Sequence, residues 1–189
     1  MSKEYYDRII PTMSKMRMLL KSEHRLILEN FFGDDFGRVK IHRDFLARRI
    51  TRRLNARAVT IGNRVFMAPS EDPDEYPFGF LLMAHELVHV AQYRSQGFVP
   101  FLAKYFWDLG RGLLKEKRIF EAYRAVPAEQ QAFEIEAKIR DWVKKYPEIG
   151  QIINRRDINA EDKLKLLQGK IAAGIIAAGI IAKEILRKI

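Results

Sequence analysis

Apolar positions at Ile9, Met13, Met16, Leu19, Leu20 and Ile27 recur near helical spacing and predict a helix over 4–31, started or kinked at Pro11. Gly33-Asp34-Asp35-Phe36-Gly37 marks a loop, and Val39-Lys40-Ile41 alternates as a short strand. Asp44 is a natural N-cap for a helix to Leu54 with Phe45, Leu46 and Ile50 as its apolar side. Two β-rich runs, Ala58–Ile61 and Val65–Ala68, flank Gly62-Asn63 and predict a hairpin. The acidic stretch Pro69–Pro77 holds three prolines and predicts a loop, with Pro77 placed for the first turn of a helix from Phe78 to Arg94 that Gly97 stops.

The aromatic run Phe101–Leu114 predicts a helix broken near Gly110 and Gly112. Pro127–Lys145 predicts another, with Phe133, Ala137, Ile139 and Trp142 on one face, ended by Pro147 and Gly150. The tail differs in kind: Ile-Ala-Ala-Gly-Ile occurs twice in Ile171–Ala182, and a five-residue step wraps isoleucines around a helix instead of aligning them. Such a run calls for burial, a partner or lipid. Twelve residues make about 18 Å of helix against a bilayer core of ~30 Å, so docking and membrane-surface contact are better readings than a span.

At 189 residues, with 48% hydrophobic and 31% charged side chains, the chain can bury its own core. Zero cysteines exclude disulfides and cysteine-held metals, which leaves His, Asp and Glu as ligands; the histidines are His24, His42, His85 and His89. The net charge of +10 is uneven. Residues 1–64 hold 15 basic against 7 acidic groups, whereas 65–100 hold 1 against 5. Arg48-Arg49-Ile50-Thr51-Arg52-Arg53 could meet phosphates, but no reader motif or interleaved aromatic residue accompanies it, so nucleic acid is a disfavoured partner. No basic region leads into an apolar run at Met1–Arg8, which makes the cytoplasm the default expectation.

The chemistry lies in Ala84-His85-Glu86-Leu87-Val88-His89-Val90-Ala91-Gln92. Histidines four apart share a helix face, about 6 Å apart at Cβ, and can converge on one ion. Glu86, next to the first, can reach a water on that ion without ligating it, the H-E-x-x-H arrangement of zinc peptidases. A third ligand is needed, and no third histidine follows. The helix opening at Pro127 offers Glu129, Glu134 and Glu136; Glu129 is favoured, Glu136 shares its face and could orient a histidine, and Glu134 points toward solvent. Two imidazoles and a carboxylate suit Zn2+ best among divalent ions.

Val39-Lys40-Ile41-His42, Ala56–Phe66, Leu82–Gln92 and Tyr123 through Ala132 together resemble the eCIS core domain, a metallopeptidase-type domain found with bacterial extracellular contractile injection systems. The resemblance runs from Gly37 to about Ala137 and implies a gluzincin-like site: His85, His89 and Glu129 on zinc, with Glu86 as base. The expected fold is α+β, mostly helical and zincin-like, with a small hairpin or sheet beside the active-site helix. The expected division is an N-terminal helical segment 1–36, a metallopeptidase domain 37–149 and a helical tail 150–189.

The expected activity is peptide-bond hydrolysis of a polypeptide substrate, with Glu86 passing the water proton to the leaving amine. Tyr123, near the third-ligand helix, is the candidate oxyanion donor. The strand Val65–Ala68 is expected beside the cleft, holding an extended peptide by edge pairing. The alternative is a membrane-interacting or delivered protein, exported by an injection system, that acts through Ile171–Ala182 while its metal domain is structural or self-processing.

Overall fold

A computed structural model describes residues 17–116 and 118–174. Ile9, Pro11, Met13 and Met16 lie outside the described residues, as does the apolar run beyond Gly174.

The chain runs β1 (Arg17–Met18), α1 (Ser22–Phe32), β2 (Lys40–His42), α2 (Phe45–Leu54), β3 (Ala58–Ile61), β4 (Arg64–Met67), α3 (Phe78–Gln96), α4 (Phe98–Glu116), α5 (Ile119–Ala125), α6 (Pro127–Lys145), α7 (Pro147–Asn154) and α8 (Ala160–Gly174). The result is mostly helix with one small sheet, in the order β1-β2-β4-β3. β1 and β2 are antiparallel, β2 and β4 parallel, β3 and β4 antiparallel. Gly62, at φ +60°, makes the left-handed step that turns β3 into β4.

α3 positions the site. Its residues are buried almost all round, because it touches β3 and α4 and packs most extensively against α6. Its first turn lies against the acidic loop so closely that a Cβ on Gly79 would fall 1.7 Å from the Asp72 carbonyl oxygen, a place only glycine can take. The core joins Ile27, Leu28 and Phe31 of α1, Ile41 and Val65 of the sheet, Leu87 of α3 and Ile139 of α6. Phe31 meets Trp142 edge-on, with ring centroids 4.8 Å apart. Ile149 of α7 and Leu167 of α8 enter the same core, so it draws on all three stretches of the chain.

Several sequence expectations need correction. Residues 17–18 are extended rather than helical, because the backbone at Arg17 and Met18 pairs with His42 and Ile41. On α2, Phe45 and Leu46 are exposed; Ala47 and Thr51 are buried, small enough for the helix to approach β4. α4 is unbroken: Gly110 is open to solvent, and at Gly112 a Cβ would stand 3.1 Å from the Ala122 carbonyl oxygen, so that glycine serves the α4–α5 contact. The α6 face is Ala132, Ile135, Ile139 and Trp142, with Phe133 half-buried and Ala137 exposed. Pro147 ends α6 by starting α7, and Gly150 lies inside α7 against the Tyr76 ring. Finally, β4 is an inner strand paired on both sides; the edge strand of the hairpin is β3.

Candidate metal centre

His85 and His89 sit one turn apart in the middle of α3, with ring centroids 5.2 Å apart. Facing them is the first turn of α6, where Pro127 starts the helix and Glu129 is 3% exposed. Ala132, one turn along α6, is wholly buried and lets the helices meet closely.

Nε2 of His85 lies 3.3 Å from Oε2 of Glu129, and Nε2 of His89 lies 3.4 Å from Oε1. One ligand atom from each of the three residues falls within 4.8 Å of the others, and all three are buried. The outer nitrogens are engaged elsewhere. Nδ1 of His85 is 3.2 Å from Oε2 of Glu136, whose other oxygen is paired with Arg140. Nδ1 of His89 is 2.8 Å from Oε1 of Gln92. The Gln92 amide in turn donates to the Ala128 carbonyl at 3.1 Å and to Oε1 of Gln131 at 2.7 Å. Both rings are thus fixed with Nε2 turned inward, the arrangement metal-ligating histidines adopt.

Glu86 is 5% exposed and belongs to this centre without joining the ligand group. Thr60 of β3 donates to its Oε2 at 2.7 Å. The Tyr105 hydroxyl donates to Oε1 of Glu129 at 2.6 Å. Burial and the Glu129 carboxylate push the phenol of Tyr123, from α5, far above the ordinary range. Phe133 closes one side, its ring centroid 4.7 Å from that of His85. Glu134 is exposed and paired with Lys138. His42 stacks on Phe66, and His24 packs edge-on against Phe80, each apart from the cluster.

The electrostatics favour a cation. Burial opposes charge on His85, yet Glu129 and Glu136, with Glu86 behind, raise its pKa to about 10. His89 is likewise raised against the burial penalty, by Glu129 and Glu86. Burial works against charge on Glu129 too, but the two imidazoles and Tyr105 hold its carboxyl well below the usual carboxylate range. A field that holds protons on two buried imidazoles also suits a metal cation, and three convergent N and O donors could hold one.

Sequence reasoning missed Gln92, Thr60 and Tyr105. Gln92 carried a signal, since it stands three residues after His89 on one helix face. Thr60 and Tyr105 carried none, because their partners lie 26 and 24 residues away.

Fold and site define an α+β domain, mostly helical, with a buried His-His-Glu cluster able to hold a metal ion. Residues 19–97 match the family model of the eCIS core domain. The match begins upstream of the expected Gly37, taking in α1, and ends at the C-terminus of α3. It holds His85, Glu86 and His89; Glu129 lies outside it. No curated protein and no solved structure matches the chain.

Proposed function

We propose that this protein is a zinc-dependent peptidase of zincin-like architecture, in which His85, His89 and Glu129 hold the ion and Glu86 is the general base. The observation that carries this reading is the convergence of two Nε2 atoms and one carboxylate in a buried site whose outer nitrogens are already engaged. When bound, zinc supplies a Lewis acid and brings the pKa of a coordinated water toward ~7.

The chain's own residues supply the rest. Glu86, oriented by Thr60, takes the proton of the attacking water and returns it to the leaving amine. Tyr123 is kept protonated by burial and by Glu129, and donates to the carbonyl oxygen as negative charge develops there. Among the described residues β3 has a free edge in the sheet, and it contacts α3, so an extended polypeptide substrate pairs along it past Glu86.

The test compares cleavage of an unstructured polypeptide by the zinc-loaded chain and by Glu86→Gln. The variant keeps its zinc and loses about 10²–10⁴-fold in rate. Equal rates would remove Glu86 from the chemistry. They would favour a second reading, in which the metal domain is structural or self-processing within a delivered protein. That reading draws support from the burial of His85, Glu86, His89 and Glu129, and from the link of the eCIS family to injection systems.

A further inference from the structure

The α4–α5 hairpin has two faces with opposite properties. The inner face is satisfied: Phe101 packs at a tilt against Tyr93 with ring centroids 4.3 Å apart, Tyr105 reaches Glu129, and Gly112 rests on Ala122. Among the described residues the outer face is bare. Val99, Ala103, Phe106, Trp107, Gly110 and Leu114 are all exposed, and their spacing makes one continuous stripe along α4. Trp107 is 68% exposed and Leu114 85%. Ile119 and Phe120, 72% and 64% exposed, carry the apolar surface onto α5. From Val99 to Leu114 the stripe is about 22 Å long at 1.5 Å per residue.

Charge says what covers it. Lys104, Arg111 and Lys115 are spaced seven and four apart and form an exposed row beside the stripe. Arg118 and Arg124 add exposed positive charge on the α5 side; the acids of the hairpin are exposed Glu121, paired with Arg118 at 3.2 Å, and half-buried Asp108 and Glu116, the latter 3.6 Å from Lys115, so basic groups remain in excess among the described residues. An aromatic and aliphatic stripe with a tryptophan, edged by lysine and arginine, is the pattern of a helix lying in the interface of an anionic bilayer. A second copy of the chain is a poor match, because a two-fold contact would bring like-charged rows together on a chain of net charge +10. We infer that the outer face of α4–α5 is a docking surface for an anionic membrane, with Trp107 inserted at headgroup depth and Lys104, Arg111 and Lys115 on the phosphates. This docking requires neither the metal nor Ile171–Ala182.

The test uses the full-length chain and vesicles of phosphatidylcholine, alone or mixed with phosphatidylglycerol, each made with and without brominated phosphatidylcholine as a depth-sensitive quencher. Trp107 is exposed whereas Trp142, the other tryptophan, is in the core, so Trp107→Phe supplies the reference signal. With anionic vesicles the emission shifts to the blue and bromine quenches it; with neutral vesicles both effects are weak, and in Trp107→Phe both are lost. The triple variant Lys104→Glu, Arg111→Glu, Lys115→Glu binds at least about 100-fold more weakly, at about fivefold for each positive charge removed. Co-sedimentation with anionic vesicles without quenching of Trp107 would overturn the inference, since contact would then run through another segment. Equal quenching by both vesicle types would overturn it too, as would retained binding in the triple variant, or a blue-shifted Trp107 in a self-associated chain before any lipid is added.

Discussion

Gln92 does two jobs with one amide: its oxygen faces Nδ1 of His89, and its nitrogen ties α3 to the start of α6 through Ala128 and Gln131. Replacing it with alanine leaves the His89 ring free to turn and weakens zinc binding by about 10- to 100-fold, read by competition with a chelating dye. Glu134→Ala, at an exposed carboxylate of the same helix, leaves the affinity unchanged. His24 is a separate case. Burial lowers its pKa from 6.5, outweighing the pull of Asp74 and the Pro73 carbonyl; Nδ1 lies 3.3 Å from that carbonyl, and Nε2 is buried without a partner. The fold therefore favours the neutral ring. Its contribution to stability is complete above pH 6.5, the unfolded value, and is lost as the pH falls below it. Melting curves from pH 7.5 to 5 should show the wild type losing more stability than His24→Phe; parallel losses would contradict the assignment. The two site histidines were legible from their spacing alone. Thr60 and Tyr105 were not, because a single hydroxyl that finds its partner through tertiary packing leaves no periodic trace.

At the scale of elements, the centre depends on how closely α6 approaches α3. Ala132 is wholly buried where these helices meet, one turn from Glu129. Ala132→Leu forces them apart, at a cost of about 1–3 kcal/mol in unfolding free energy. The larger effect is on the site: Glu129 is drawn back from the imidazoles, so zinc affinity falls while circular dichroism keeps the helical signal. Unchanged affinity would show that α6 does not set the ligand geometry. The α3 helix was readable because Pro77, Gly97 and a long apolar run bound it. The face of α2 was misread: hydrophobicity pointed to Phe45 and Leu46, whereas close approach to the sheet selected Ala47 and Thr51. The glycines of α4 were read as breaks because the sequence does not show that Gly112 lies against another backbone.

Over the whole molecule, the acidic stretch 65–100 carries the two histidines, and the basic excess lies on either side of it. The family match covers β2, β3 and β4 of the sheet with α1, α2 and α3, while the carboxylate that completes the cluster comes from beyond the match and beyond α4–α5. That hairpin links the two halves: Tyr105 binds Glu129 from inside, and the aromatic stripe faces outward. The topology of the sheet was legible only in part, since the hairpin is local but the parallel pairing of β2 with β4 is not. Elemental analysis of the purified full-length chain and of His85→Ala tests the central claim most directly. The account predicts one zinc per wild-type chain and its loss from a folded His85→Ala variant. A folded wild-type chain that stays free of zinc after incubation with the ion, or a variant that keeps it, would contradict the account.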